Sequence, residues 1–321
     1  MYSKIALATS TLLVTGSTAI DIPANIKTFY NNVVAQGDCK TKLASGLYSY
    51  KDGPPDWSYC GDHLQDYGII YIQGQQGQLA NMDIDCDGQQ REPNNGRCGH
   101  NPSDQSMTAM RDYLQAYQIP GITDLNTYVH PYIVFGNSGT NPHNVPFDPR
   151  DHGVQPLSIV LVVTPDNLVC GIWGDTNGGE RDASFVGESA LATGELAFGN
   201  EVNGTVSHEA NDVLYVAFTG ADAVPGKNGA DWAADTKEDF AASIATQCAT
   251  LGTALARRAN GTVIVRILSL VRLGNVHNRK TVAGPAIAQE PLARRMLIAV
   301  TTWFASVEIA GRLNNGRQSM K

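Results

Sequence analysis

The sequence predicts a mainly β protein with an antiparallel β-barrel-like or sandwich core and a few peripheral helices. Seven short runs rich in β-branched or aromatic residues predict strands, and most are bounded by Gly, Asn, Asp or Pro. Only four stretches predict helices. Glycine supplies 32 of the 321 residues, which also favours a turn-rich chain of strands. A double-psi barrel is one form that such a core could take.

In chain order, a short amphipathic stretch at Ile26–Val34 predicts the first helix, and residues 37–66 are rich in loops. The predicted strands are Gly68–Ile72, Ala80–Ile84, Tyr132–Phe135, Leu157–Val163, Leu168–Trp173, Ala183–Val186 and Val213–Phe218. Between two of them, residues 164–167 (TPDN) predict a tight turn. The later helices are predicted at Ser106–Tyr117, Ser189–Phe198 and Thr236–Leu251.

The N-terminus has the pattern of a secretory signal peptide over residues 1–19. Lys4 precedes an apolar stretch, Ile5–Gly16, and the small residues Ser17 and Ala19 follow in the pattern that signal peptidase cleaves. The apolar stretch is shorter than the ~20 residues that a membrane span requires. We therefore expect a secreted, extracellular protein that does not insert into membranes, and the sequons at Asn203 and Asn260 are compatible with that route.

Charge divides the chain into an acidic body and a basic end. From residue 248 onward there are 11 Lys and Arg against two acids, whereas the first 247 residues carry 12 basic and 29 acidic residues. An acidic body argues against nucleic acid and favours a cationic or neutral partner. We predict a catalytic domain over residues 20–250, acting as a monomer. Residues 251–321 are interpreted as a poorly ordered basic tail, either a shifted reading frame, which we favour, or a small appended domain.

Six cysteines suit a secreted protein with disulfide bonds. Cys86 and Cys98 flank a polar loop and are the first predicted pair, and Cys39 with Cys60 is the second. Because Cys170 lies in an apolar run, it is interpreted as a buried thiol.

Two carboxylates, Asp175 and Glu188, lie near the ends of a turn in CGIWGDTNGGERDASFVGE (170–188). If the two flanking runs pair as a hairpin, both acids can face one cleft. Glycoside hydrolysis uses two such groups, a protonated acid and a second carboxylate that activates water or attacks the sugar. The apolar sequence neighbours of Glu188 predict a raised pKa and a role as the acid, whereas the polar neighbours of Asp175 predict an ionised base. The spacing alone is more typical of the polar surface of a turn than of a catalytic pair.

A second acidic group occurs in NMDIDCDG (81–88), where a strand would place Asp83, Asp85 and Asp87 on one face. The three carboxylates repel one another unless a cation lies among them, either Ca²⁺ or a positively charged substrate; the alternative is a solvated acidic loop beside a disulfide. The calcium hypothesis is the weaker one, because Asn94 stands where an EF-hand loop requires its bidentate Glu.

The histidines lack the spacing of a zinc site, and residues 187–191 (GESAL) lack the last Gly of a serine-hydrolase motif. No metal or cofactor is expected.

The runs YIQGQQGQLANMDIDCDG (71–88) and GIWGDTNGGERDASFVGESALA (171–192) closely resemble the fungal chitosanases of glycoside hydrolase family 75. The resemblance covers roughly residues 20–247. It implies an endo-acting, inverting hydrolase of the β-1,4 bonds of chitosan, with Asp175 and Glu188 as its catalytic carboxylates. The substrate carries ammonium groups, which Asp83, Asp85 and Asp87 would bind. Asn177 and Tyr71, within the two motifs, are further candidate substrate-binding residues.

Two other functions remain open at this stage. A non-catalytic module that binds or loosens cell walls could use a similar β-barrel, but it would not need two acids in its cleft. A Ca²⁺-dependent lectin would lose binding when calcium is chelated.

Overall fold

A computed structural model of the chain describes residues 22–90, 95–99, 104–178 and 183–255. Every described residue lies in the first of the two units into which the chain divides, residues 1–264. The predicted signal peptide, the sequon at Asn260 and nearly all of the predicted basic tail lie outside the described residues. Within the described ranges, no helix combines the length and apolar character that crossing a membrane requires.

Nine strands and five helices are described. The strands are β1 (Lys42–Leu47), β2 (Trp57–Cys60), β3 (Ile69–Gln73), β4 (Ala80–Asp85), β5 (Tyr132–Asn137), β6 (Ile159–Val163), β7 (Leu168–Asn177), β8 (Glu188–Ala190) and β9 (His208–Phe218). The helices are α1 (Ala24–Ala35), α2 (Arg111–Gln115), α3 (Leu191–Phe198), α4 (Gly226–Gly229) and α5 (Lys237–Ala254).

Six of the strands form a closed barrel in the order β9-β4-β8-β5-β7-β6, and the pairing of β6 with β9 closes it. β3, β2 and β1 extend antiparallel from the C-terminal part of β9. The strands of the barrel are buried along most of their length, and aliphatic and aromatic side chains fill the core between them. The prediction of a mainly β barrel with few helices is confirmed.

The predicted antiparallel arrangement is only partly right, because two of the six barrel pairings, β4 with β8 and β5 with β7, are parallel. The strand order does not confirm a double-psi barrel. The predicted strand at Ala183–Val186 is also wrong: Phe185 makes only an isolated bridge to Tyr48, and the strand begins at Glu188. β1 and β2 lie in the region that was interpreted as loops.

The turn predicted at residues 164–167 and the helix predicted from Thr236 both occur in the structure. The turn 164–167 joins β6 and β7 as predicted, with the Thr164 N–H donating to the Asn167 carbonyl at 2.9 Å. Thr236 caps α5 by accepting from the Asp239 N–H at 3.1 Å. α5 continues to Ala254, four residues past the position at which the catalytic domain was predicted to end.

Three disulfides cross-link the described chain. Cys39–Cys60 and Cys86–Cys98 form as predicted. The interpretation of Cys170 as a free thiol is wrong, because Cys170 in β7 is bonded to Cys248 in α5. The two residues are 78 apart in sequence, and neither is flanked by the polar loop that identified the other pairs.

Candidate active site

The sheet brings Asp175 and Glu188 together, although not as a hairpin. β7 and β8 do not pair with each other; they lie on opposite sides of β5. Val134 in β5 is in register with Asp175 on one side and with Glu188 on the other. The two acids therefore lie at the same level of the barrel wall, and only β5 separates the strands that carry them.

β4 extends the same row of acids. Asp83 is in register with Glu188 across the parallel β4–β8 pair, and both side chains are half-buried. The Asp83 N–H donates to the carbonyl of Gly187 at 2.7 Å. Gly187 has φ +89°, and a Cβ there would lie 2.6 Å from Asn81 Oδ1. Only glycine therefore fits the turn that leads into Glu188.

Asp175 is almost completely buried, with 6% of its surface exposed. Its Oδ1 accepts from the backbone N–H groups of Ala109 at 3.0 Å and Thr176 at 2.7 Å. Its Oδ2 has no hydrogen-bond partner among the described residues. Burial raises the pKa of Asp175 to about 8, against the opposing effect of the two N–H groups.

This protonation state corrects the expectation that polar neighbours keep Asp175 ionised in the free protein. The side chains of those neighbours are used elsewhere: Thr176 Oγ1 donates to the Phe135 carbonyl and Asn177 Nδ2 to the Phe185 carbonyl, each at 3.2 Å. Neither of these two hydrogen bonds reaches the carboxylate of Asp175.

Asp85, Asp87 and Asp175 form a buried cluster, in which a carboxylate oxygen from each lies within 4.8 Å of the other two. They are close enough to surround a single cation, whether a metal ion or an ammonium group. Burial is the main cause of the strongly raised pKa of Asp85, and the charges of Glu188, Asp175 and Asp87 add to it. In the free protein, bound protons relieve the repulsion within this cluster.

Residues outside the two motifs hold the cluster in place. The Tyr132 hydroxyl donates to the Asp87 carbonyl at 2.9 Å, and Thr127 Oγ1 donates to the Asp85 carbonyl at 2.8 Å. Asp124 accepts from both the N–H and the hydroxyl of Thr108, which fixes the loop that presents the Ala109 N–H. Sequence reasoning missed these residues, since none has a spacing that links it to the acids.

The last two candidate substrate-binding residues, Asn177 and Tyr71, lie in different parts of the fold. Asn177 ends β7 and is buried beside the site, where its carbonyl accepts from the Ser138 N–H at 2.7 Å. Tyr71 is fully buried in β3, outside the six barrel strands. Its hydroxyl donates to Asp62 at 2.9 Å and accepts from Gln36 Nε2 at 2.7 Å. The described contacts of Tyr71 do not bring it to the carboxylates.

Comparisons with known proteins agree on one family. A family model described as the fungal chitosanase of glycosyl hydrolase group 75 matches residues 82–254. An endo-chitosanase of Aspergillus oryzae (strain ATCC 42149 / RIB 40) is 43% identical over 234 residues, which is 72% of this chain and 91% of the relative. Endo-chitosanase B of the same strain is 42% identical over 235 residues, covering 72% and 90%. An endo-chitosanase of Aspergillus fumigatus is 41% identical over 234 residues, also covering 72% and 90%.

Proposed function

Because the chain belongs to the fungal chitosanases of glycosyl hydrolase group 75, we propose that it is an endo-chitosanase that hydrolyses the β-1,4 bonds of chitosan with inversion. Membership of this group makes the chain a glycoside hydrolase, as its two motifs predicted. The activity of its relatives and the two acids on either side of β5, of which Asp175 is buried and Glu188 half-buried, support this substrate and this reaction.

The proposed reaction assigns one step to each acid. Glu188, half-buried at the start of β8, donates a proton to the glycosidic oxygen as the bond to the anomeric carbon breaks. Asp175 accepts a proton from a water molecule, whose oxygen attacks that carbon from the opposite face. The product therefore has the inverted configuration, and the proton taken by Asp175 balances the one lost from Glu188.

The spacing of the strands supports an inverting geometry. Adjacent strands lie ~4.8 Å apart, so two residues in register on either side of one strand have backbones ~10 Å apart. Val134 has that position between Asp175 and Glu188. Side chains that converge slightly would bring the carboxyl groups into the range of about 6.5–9.5 Å found in inverting enzymes, which leaves room for water.

A cationic substrate would make Asp175 a base. In the free protein the carboxyl is protonated below about pH 8, and a protonated acid cannot accept a proton from water. An ammonium group near the buried cluster of Asp85 and Asp87 would favour the ionised form of Asp175 and lower its pKa. Asp83 lies one strand beyond Glu188 and could bind a further ammonium group. Ionisation of the base would then depend on the charge that distinguishes chitosan from neutral chitin.

The same proposal places the enzyme outside the cell. Three disulfide bonds are typical of proteins that fold in an oxidising compartment, and the N-terminal pattern is that of a secretory signal. Measuring the protein in the culture medium, with its N-terminus sequenced, would test this location.

The decisive experiment measures reducing ends released from fully deacetylated chitosan by the wild type, Asp175→Asn and Glu188→Gln. We expect each substitution to lower kcat by at least two orders of magnitude. An asparagine at position 175 can still accept from the Ala109 and Thr176 N–H groups through its oxygen, so the fold should persist. Exposed acids provide matched controls, Asp112→Asn and Glu209→Gln, and these should keep wild-type activity.

Product stereochemistry provides the second readout. Proton NMR during the first minutes should show the inverted anomer at new reducing ends. A retained anomer, or near-normal activity in either site variant, would contradict the assigned roles. Binding of chitosan without any cleavage by the wild type would instead favour the non-catalytic cell-wall module.

A further inference from the structure

A cavity of 210 Å³ lies directly beside Asp175. Two of its lining residues, Ala109 and Thr176, are those whose backbone N–H groups bind Asp175 Oδ1. A third, Trp173, donates its indole N–H to the carbonyl of Asp175 at 2.8 Å. The volume is smaller than the ~300–1,000 Å³ of sites that enclose a whole drug-sized ligand. The cavity therefore suits one unit, or one substituent, of a longer chain.

The charges of this cavity differ from those of the carboxylate cluster. Its one acid, Asp148, is paired with Arg150, and the closest oxygen and guanidinium nitrogen are 2.6 Å apart. Hydrogen bonds from Arg150 hold the pKa of Asp148 below its usual value. The pair therefore remains ionised and neutral overall at working pH, and it offers no net negative charge to an ammonium group.

Tyr113 supplies a hydrogen-bond donor at the same place. Its hydroxyl oxygen accepts from Arg150 Nη1 at 3.3 Å, and no acceptor for its proton occurs among the described residues. The side chain is 44% exposed. A hydroxyl whose oxygen is already occupied by an arginine is directed to donate, and a neutral carbonyl oxygen is a suitable acceptor.

Apolar side chains form most of the remaining lining, beside the polar residues Asn137, Ser138 and Thr176. Met110, Phe147 and Pro149 contribute to it together with Ala109 and the almost fully buried Trp173. Such a surface favours a methyl group and disfavours an unpaired charge, because a charge would lose its hydration without a counter-ion.

We propose that this cavity binds the acetamido group of an N-acetylglucosamine unit, one sugar position of a partly acetylated chitosan chain. Its methyl group packs against Met110 and Phe147, and its carbonyl oxygen accepts from the Tyr113 hydroxyl. This inference rests on the proposed chitosanase activity and adds that the cleft has two chemically distinct positions. The carboxylates select an ammonium group, and the cavity beside Asp175 selects a neutral acetamide.

The test sequences the products of partly acetylated chitosan by tandem mass spectrometry. For the wild type, acetylated units should be enriched at one fixed distance from the newly formed end. Tyr113→Phe should reduce this enrichment about fivefold, the contribution of a single hydrogen bond. Arg150→Ala leaves Asp148 unpaired, so the preference at that position should shift toward glucosamine. Both variants should retain, within about twofold, the wild-type rate on fully deacetylated chitosan, which also checks that they fold.

The control is Arg111→Ala, which removes a similar exposed arginine–aspartate pair that does not line the cavity; its product pattern should match the wild type. Random placement of acetylated units by the wild type would overturn the proposal, and so would an unchanged pattern in both Tyr113→Phe and Arg150→Ala.

A binding measurement separates this inference from the proposed activity. In NMR titrations of the wild type, methyl N-acetyl-β-glucosaminide should shift the signals of Ala109 and Tyr113 at lower concentration than methyl β-glucosaminide does. If chitosan is not cleaved but this selectivity is seen, the proposed reaction fails and the cavity assignment stands. If chitosan is cleaved and the two glycosides bind equally, the cavity assignment fails alone.

Discussion

The protonation of Asp175 should be measurable as pH-dependent stability. Its pKa is raised to about 8 in the folded protein, against ~4 in an unfolded chain. The folded state therefore binds the proton more tightly, and this stabilisation is complete below about pH 4 and lost as the pH rises through about 8. Between these limits, the free energy of unfolding of the wild type should fall relative to Asp175→Asn, by on the order of a few kcal/mol. Urea unfolding at pH 4, 6 and 8 measures the difference.

Asp112→Asn, which replaces an exposed acid outside the buried carboxylate cluster, is the control for this comparison. A wild-type minus Asp175→Asn difference that stayed constant from pH 4 to 8 would mean that Asp175 is ionised in the folded protein. Its proposed activation by a cationic substrate would then be unnecessary.

At the scale of single residues, the sequence predicted Asp175 and Glu188 as the catalytic pair but not what surrounds them. These two acids were singled out because they lie in a motif that resembles a known family; their spacing alone would not have distinguished them from the polar surface of a turn. The pKa of Asp175 could not be predicted, because its environment comes from Ala109 and Asp87, which lie 66 and 88 positions away. Burial by distant elements outweighs the polarity of the next residues in the chain.

The disulfide between β7 and α5 should stabilise the fold more than its shorter counterpart. Cys170–Cys248 closes a loop of 78 residues, whereas Cys86–Cys98 closes one of 12. In the chain-entropy description, the longer loop contributes about 4.5 kcal/mol and the shorter about 3 kcal/mol. Replacing Cys170 and Cys248 with Ala should thus lower the free energy of unfolding about 1.5 kcal/mol more than replacing Cys86 and Cys98, as measured by urea unfolding.

The same pair of variants tests a link to activity. Cys170 lies in β7, the strand that carries Asp175, so Cys170→Ala/Cys248→Ala should also lose activity at a lower temperature than the wild type. The wild type in a reducing agent provides the reference in which every disulfide is open. Equal losses of stability in the two double variants would show that loop length does not determine the contribution of these bonds.

At the scale of elements, strands with strong β-branched runs were predictable and their partners were not. β6 and β7 form the hairpin expected from the turn between them. The hairpin considered for the runs around Asp175 and Glu188 does not form, because β5, more than 30 residues before β7 in sequence, lies between β7 and β8. Parallel pairing requires a long crossover, and no local pattern encodes which strand such a crossover reaches.

At the scale of the molecule, closure of the barrel depends on β9, which pairs with β3, β4 and β6 along its 11 residues. The sequence predicted only the last six of those residues as a strand. Half-exposed and exposed residues at its start, including His208 and Glu209, hide the strand pattern there. The sequence is therefore compatible with both a barrel and a sandwich, and the pairing of β9 decides between them.

Charge over the whole chain leads to a final prediction. Residues 1–255 carry 12 basic and 29 acidic side chains, and residues 256–321 carry 11 basic and two acidic ones. All candidate site residues and the family match at 82–254 fall within the first part. A chain ending after Leu255, whose side chain is buried, should keep α5 and its disulfide and should hydrolyse chitosan. Because its net charge is more negative, we expect a higher kcat/KM than the full chain at low salt.

Salt concentration provides the control. The Debye length falls from about 30 Å at 0.01 M to about 3 Å at 1 M, so the two chains should differ most at the lowest ionic strength and converge near 1 M. A difference that persists unchanged at high salt would mean that residues 256–321 act by something other than charge. Loss of activity in the shorter chain at every salt concentration would show that those residues contribute to the catalytic domain itself, which would move its boundary well beyond the end of α5.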